Sequence, residues 1–304
     1  MASATHLAVL PLGDATLMTM NLTTSSLAAC ALLSLPLAAQ DEPPDLETLA
    51  RAVGAAHRPN GPTAAVDAFR CRLELHLLDV REENGGQANL EVQFLQQARK
   101  PPKKPRTYIR YEVRGAEQPI RRGFDRVGPW HLKQGRPQDL TAAGAEKDLE
   151  SLREHTNLAR QLVRFLSPEA VLSSLQKPTK VRDDRLRIGR KQAPVLSVGG
   201  RLEKFPMMQN AGDEAPAYVT VYVDKKSKRL LGIDAWPLKD GEPDRLRGER
   251  ILLSDLEDRD GLLVPRTLRY LWRNQSGQLR SHSTANILSL DLRPELTLAD
   301  FDRR

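Results

Sequence analysis

The sequence predicts an α+β protein, an antiparallel β-meander folded around one mid-chain helical excursion. Residues 141–176 carry a helical period, nearly everything on either side alternates with a period of two, and turn residues separate the alternating stretches. In the helical stretch Leu149, Leu152, Ala159, Leu162, Val163 and Leu166 recur on one side. Glu150, Arg153, Glu154, Arg160, Gln161 and Arg164 take the other. Thr141 is the expected cap. Ser167-Pro168-Glu169 restarts a shorter helix with a hydroxyl at the cap, proline in the first turn and a carboxylate near the positive helix end, and Pro178 closes it. Such a helix does not hold its leucine stripe in water, so it must lie on the strands around it.

Taken in order, residues 40–64 form a leading segment rich in Pro, Glu and Ala, with a short amphipathic helix over Asp45–Ala56. Phe69 to Leu77 alternates without a fault, Asn84-Gly85-Gly86 supplies a turn, and Leu90 to Phe94 alternates again. The basic, proline-rich connector 99–106 leads to a third strand, Thr107 to Val113. A hairpin of 121–125 and 130–133 pivots on Val127-Gly128-Pro129. Beyond the helices, strands are expected at 185–188, 195–205, 218–223, 230–236, 251–256, 263–273 and 279–292. Lys225-Lys226-Ser227-Lys228, Asp258-Arg259-Asp260-Gly261 and Asn274-Gln275-Ser276-Gly277 read as hairpin tips. No fixed-period repeat occurs and no linker forces a division, so residues 65–304 read as one domain.

At 304 residues and 34.0 kDa the chain can bury a substantial core. Its 46 basic and 39 acidic residues give +7. Removing residues 1–39, whose only charged residue is Asp14, gives +8. Residues 27–39 form an apolar run ending in Leu37-Ala38-Ala39 before Gln40-Asp41-Glu42, the shape of a secretory signal peptide cleaved near Ala39. No Lys or Arg precedes it, and a start at Met20 would leave residues 1–19 untranslated. Leu27-Ala28-Ala29-Cys30 also fits a lipoprotein cleavage box, but the apolar run continues past it, so ordinary secretion is the expectation. The mature chain then keeps Cys71 alone, on the apolar side of its strand, as a buried structural thiol.

Catalytic motifs are lacking. The histidines share no metal-ligand spacing, and there is no His-Glu-x-x-His, Cys-x-x-Cys or Gly-x-Ser-x-Gly, so no enzyme activity, metal or cofactor is implied. His76 and His155 read as solvated. A calcium loop at 255–261 fails, because Gly261 at the sixth position puts Leu256 at the first. Gly199-Gly200 reads as a strand bulge. A secreted chain with 5% aromatics is a poor nucleic-acid binder.

From Leu90 to Leu140 the order of parts is a strand ending in Phe94, then Arg99-Lys100-Pro101. Next come Tyr108-Ile109-Arg110-Tyr111-Glu112-Val113 and the hairpin Asp125-Arg126-Val127-Gly128-Pro129-Trp130. Further on come Tyr222-Val223-Asp224 before a Lys-rich turn, Leu263-Val264-Pro265, and Leu298-Ala299-Asp300-Phe301. This resembles the periplasmic lipoprotein-carrier superfamily, the LolA/LolB-like proteins. The resemblance implies an antiparallel β half-barrel closed by helices around an apolar cavity that receives acyl chains. Leu73 and Leu75, then Leu90, Val92 and Phe94, then Ile109, Tyr111 and Trp130 would line one wall of that cavity. Leu158, Leu162 and Val163 would face them from the helix. An ordinary packed core is the alternative for the same residues. Lys100, Lys103, Lys104 and Arg106 would form a basic rim that meets anionic lipid headgroups or an acidic partner. The function expected is a non-enzymatic envelope carrier or sensor of a lipid, lipoprotein acyl chain or other apolar ligand. A protein-protein module of the envelope on the same fold is the other reading.

Overall fold

A computed structural model describes residues 42–59, 66–77, 86–97, 106–114, 120–133, 135–141, 144–208, 214–274 and 276–302. The leader expected over 1–39, its cleavage near Ala39, and Lys100, Lys103 and Lys104 of the basic rim lie outside these residues.

The first helix, α1 (Leu46–His57), starts where Asp45 accepts the Thr48 backbone N–H at 2.8 Å. Six strands follow: β1 (Ala68–Leu77), β2 (Gln87–Gln97), β3 (Arg106–Arg114), β4 (Ile120–Phe124), β5 (Pro129–Lys133) and β6 (Arg136–Asp139). Helices α2 (Glu146–Leu166) and α3 (Pro168–Ser173) come next. The chain then runs through β7 (Arg182–Ile188), β8 (Lys191–Phe205), β9 (Ala215–Asp224), β10 (Leu230–Lys239) and the short β11 (Glu242–Pro243). It finishes with β12 (Glu249–Arg259), β13 (Leu262–Arg273), β14 (Leu279–Asp291) and a 3-10 turn at Leu298–Phe301.

All the strands join one antiparallel sheet. Its order is β6, β5, β4, β3, β2, β1, β14, β13, β12, β10, β9, β8, β7, with β11 paired to β10 alone. Two meanders are therefore sewn together by their outermost strands, β1 against β14, with Leu75 opposite Ala285 and Cys71 opposite Leu290. Strands β6 and β7 are consecutive in the chain but occupy opposite edges. Their connection, which holds α2 and α3, has to cross the inner face. It carries its apolar side inward: Leu152, Leu158, Leu162, Phe165 and Leu166 are buried in the same core as Leu73, Val92, Val221, Leu268 and Ala285. The fold is α+β, an open antiparallel half-barrel wrapped around the mid-chain helix.

Several local expectations are corrected. Helix α2 begins at Glu146 rather than at Thr141, whose hydroxyl and N–H are taken by Asp139. Pro168 opens α3 as expected, but the Ser167 hydroxyl makes no cap and accepts instead from Arg58 at 3.2 Å. Helix α3 ends at Ser173, ahead of Pro178, and the chain leaves through a bridge between Gln176 and Arg201. Strand β6 is polar, contains Pro137 and has no alternation to betray it; it exists because β5 offers it a free edge. Gly199 and Gly200 are not a bulge. They stay in register with Thr220 and Val219, and the slip comes later, between Leu202 and Phe205. Their service is close approach: a Cβ at Gly200 would stand 3.0 Å from Leu175 Cβ, where the end of the α3 segment lies on the sheet.

The Asp260-Gly261 tip has φ of 53 and 81, the paired left-handed values of a tight hairpin. At the β4–β5 hairpin the Asp125 carboxylate accepts the Val127 and Gly128 N–H groups at 2.7 and 2.9 Å. Gly123 permits the same hairpin to close, since a Cβ there would lie 2.6 Å from the Ile109 carbonyl oxygen and 3.0 Å from the Trp130 ring. Gly123→Ala should cost about 2 kcal/mol of folding stability, read as a lower urea midpoint with an unchanged m-value.

Candidate functional site

The interior between α2 and the sheet is the candidate site. Among the described residues it holds an enclosed cavity of about 10 Å³, lined among others by Phe69, Cys71 and Leu73 of β1 and by Val92 of β2. Leu158, Ala159 and Leu162 of α2 and Leu268, Ala285 and Ile287 of β13 and β14 complete it. That is room for about one water, against the roughly 300–1,000 Å³ of an ordinary ligand site. The lining is wholly apolar. Cys71 sits in it, its thiol pushed up to about 12 by burial, so it is an inert part of the wall.

The sequence-predicted lining residues divide into three groups. Leu73, Val92, Leu158 and Leu162 meet at the cavity. Leu75, Leu90, Phe94, Ile109 and Tyr111 are buried in the same core beyond the cavity wall, and Val163 packs against that core from a partly exposed position. Trp130 is the exception. In the register of β4 with β5, Arg122 pairs with His131 and Gly123 with Trp130. Arg122 and His131 reach Asp148 on α2, so Trp130 and Gly123 project from the opposite, outer face. There Trp130 is buried on the outer face of the sheet that also carries Arg110. Arg110 donates to the Asp300 carbonyl at 3.0 Å, and Phe301 packs on Tyr108. The side chain is core, but of the wrong face. Phe69, Cys71 and Ala159, on the apolar sides of their elements in the sequence pattern, join the lining, whereas Leu268, Ala285 and Ile287 of β13 and β14 were missed because aliphatic and small residues carry no signal of which distant strand they will face.

Arg106 is described and is engaged rather than presented at a rim. Its guanidinium donates to the Asp125 and Arg126 carbonyls of the hairpin and stands 5.4 Å over the Tyr108 ring. The roomier hollows lie outside the half-barrel. One of about 440 Å³ runs between α1 and α3 past the Arg58–Glu169 ion pair, and one of about 610 Å³ lies beside Pro43, Pro44 and Pro178. Both open to solvent; the first reaches the core at Ala50 of α1, and the second borders it at the partly buried Leu46 and Val181.

Polar contacts fix α2 at both ends of its inner face. Near its start, Arg122 pairs with Asp148 and donates to the Ser151 hydroxyl at 2.9 Å and to the Tyr111 hydroxyl at 3.0 Å. His155, expected in solvent, stacks on the Tyr111 ring at 4.4 Å with its Nδ1 2.6 Å from the Ser151 carbonyl. Toward the other end, Gln161 donates to the Glu249 carboxylate at 2.8 Å, and Asn157 donates to the Met207 carbonyl at 3.0 Å. Glu249 also accepts the Met208 N–H at 2.9 Å. A buried carboxylate requires such partners. Gln161→Ala should therefore cost about 1–3 kcal/mol, measured by chemical denaturation.

A buried and a half-buried imidazole set the acid response. His57 ends α1 fully buried, and its Nε2 accepts the Leu230 N–H at 2.9 Å; desolvation pulls its pKa down from 6.5 to about 4. Desolvation lowers His155 likewise to about 4. The unfolded chain takes up these protons near pH 6.5, whereas the fold resists them until about pH 4. Their contribution is complete above pH 6.5 and is lost as pH falls toward 4. Melting temperature should fall across that window with an uptake of about two protons on unfolding, and His57→Gln should flatten the slope.

No protein-family model matches the chain, and no curated protein matches it. Among solved structures it is similar to a LolA superfamily protein from Nitrosomonas europaea, at 13% identity and a TM-score of 0.41, covering 85% of this chain and 98% of that one. It is similar to a putative outer membrane lipoprotein-sorting protein domain from Vibrio parahaemolyticus, at 11% and 0.39, covering 85% and 96%. It is also similar to a DUF1329 family protein from Desulfovibrio piger, at 11% and 0.43, covering 84% and 95%. The half-barrel itself rests on the strand order and the helical strap described above.

Proposed function

We propose that this protein is a non-enzymatic carrier or sensor of the cell envelope that buries an acyl chain between the inner face of its sheet and α2. The leader-like N-terminus supports export to the periplasm or beyond, and the LolA-like resemblance supports a lipid or lipidated protein as partner. The observation that carries the reading is the apolar cavity at the α2–sheet interface. It lies on the midline of the sheet, where β1 meets β14, and is walled by small groups (Cys71, Ala159 and Ala285) that leave the packing short of full. A cavity of about 10 Å³ admits a chain only if α2 lifts from the sheet, so loading is a coupled opening. Binding would come from burial of apolar surface rather than from chemistry.

The mature protein should co-purify with lipid in a native mass spectrum and, once delipidated, take up a fluorescent fatty-acyl probe. Leu162→Glu should reduce uptake, and so should Ala285→Val, which fills the cavity without adding charge and keeps the fold. A delipidated, cooperatively folded protein that takes up no probe would sink the reading.

A further inference from the structure

Next to the apolar cavity the inner face carries a polar cluster. Leu268, which lines the cavity, is followed two residues later on the same face of β13 by Tyr270, and then by Trp272 directly opposite Glu249 of β12. On α2, Leu162 lines the cavity, and its neighbour Gln161 reaches Glu249. Tyr270 and Gln161 are fully buried, yet the Tyr270 hydroxyl and the Gln161 Oε1 have no hydrogen-bond partner among the described residues; the Trp272 Nε1 is in the same condition. Leaving buried donors and acceptors unmatched is costly, and so many at one spot calls for a reason.

We propose that Gln161, Glu249 and Tyr270 form a head-group subsite at one end of the apolar interior, suited to a hydroxyl-bearing neutral amphiphile such as a monoacylglycerol. This rests on the carrier reading and names the ligand class for it. A single hydroxyl can accept from the Tyr270 O–H while donating to the Gln161 Oε1, so it satisfies both with one group. The acyl chain then runs from Tyr270 toward Leu268, Leu162 and the cavity. A free fatty acid ionised at neutral pH brings a carboxylate that cannot donate and that meets the buried Glu249 carboxylate, an unfavourable like-charge pair. An acyl methyl ester has the chain and no hydroxyl to give. A hydrogen-bonding site discriminates against the analogue that lacks the group.

The test compares 1-monoacylglycerol, fatty acid and methyl ester of one chain length as competitors of a bound fluorescent acyl probe on delipidated protein. The glyceride should compete about tenfold better than either. Tyr270→Phe, which keeps the ring and the packing, should erase its advantage over the methyl ester. Glu249→Gln should narrow the gap to the fatty acid. Equal competition by all three, or a glyceride preference that survives Tyr270→Phe in folded protein, would overturn the subsite and leave the carrier intact. If no acyl probe binds to folded protein at all, the carrier reading falls and the subsite with it.

Discussion

The pairing of β1 with β14 governs the architecture. Once the first and last strands sit side by side, each half of the chain meanders away from that seam, and the middle of the sequence is left at two distant edges. The segment between β6 and β7 must then bridge the sheet. Only a segment with an apolar side can lie across a leucine- and valine-rich face, and α2 and α3 supply one. The half-barrel, its helical strap and the enclosed interior are consequences of one strand pairing of high sequence separation.

The two sides of this sheet do different work. The inner face is largely hydrocarbon, interrupted by Arg122 and His131 under the start of α2 and again where Glu249, Tyr270 and Trp272 come together. The outer face of the N-terminal half is dressed with ion pairs, such as Arg121 with Glu112. On the C-terminal half it carries Asp234, buried and held by Arg250 at 2.5 and 2.7 Å, with the Tyr222 hydroxyl at 3.2 Å. Those outer polar groups satisfy one another with charge-assisted bonds. In the inner cluster Glu249 accepts from Gln161 and from the Met208 N–H, while the Tyr270 hydroxyl and the Trp272 Nε1 have no partner among the described residues.

Helix α2 is held by hydrocarbon along its middle and by directional bonds near each end. The apolar contacts are not specific for one position, whereas Arg122–Asp148 and Gln161–Glu249 are. The directional bonds therefore define the position of the helix along the sheet, and the hydrocarbon supplies the burial.

By itself the sequence determined the local structure and the class. Alternation set the long strands, turn residues at Asp260-Gly261 and Asp125 set the hairpins, and a helical leucine stripe identified the element that has to be covered. Those signals are read from neighbours in the chain and held for the long strands and α2, while the caps expected at Thr141 and Ser167 gave way to contacts with Asp139 and Arg58. Tertiary structure alone decided which faces look inward and which strands adjoin. Trp130 has the alternation of an inner residue and points outward, because the register of β4 with β5 assigns the inner positions to Arg122 and His131. His155, a polar position in the helical pattern, is stacked on Tyr111, and Gln161 is buried against Glu249 at a separation of 88 residues. Pattern reports how a residue lies within its own element; what stands across from it depends on contacts between distant segments, and those are fixed only when β1 finds β14.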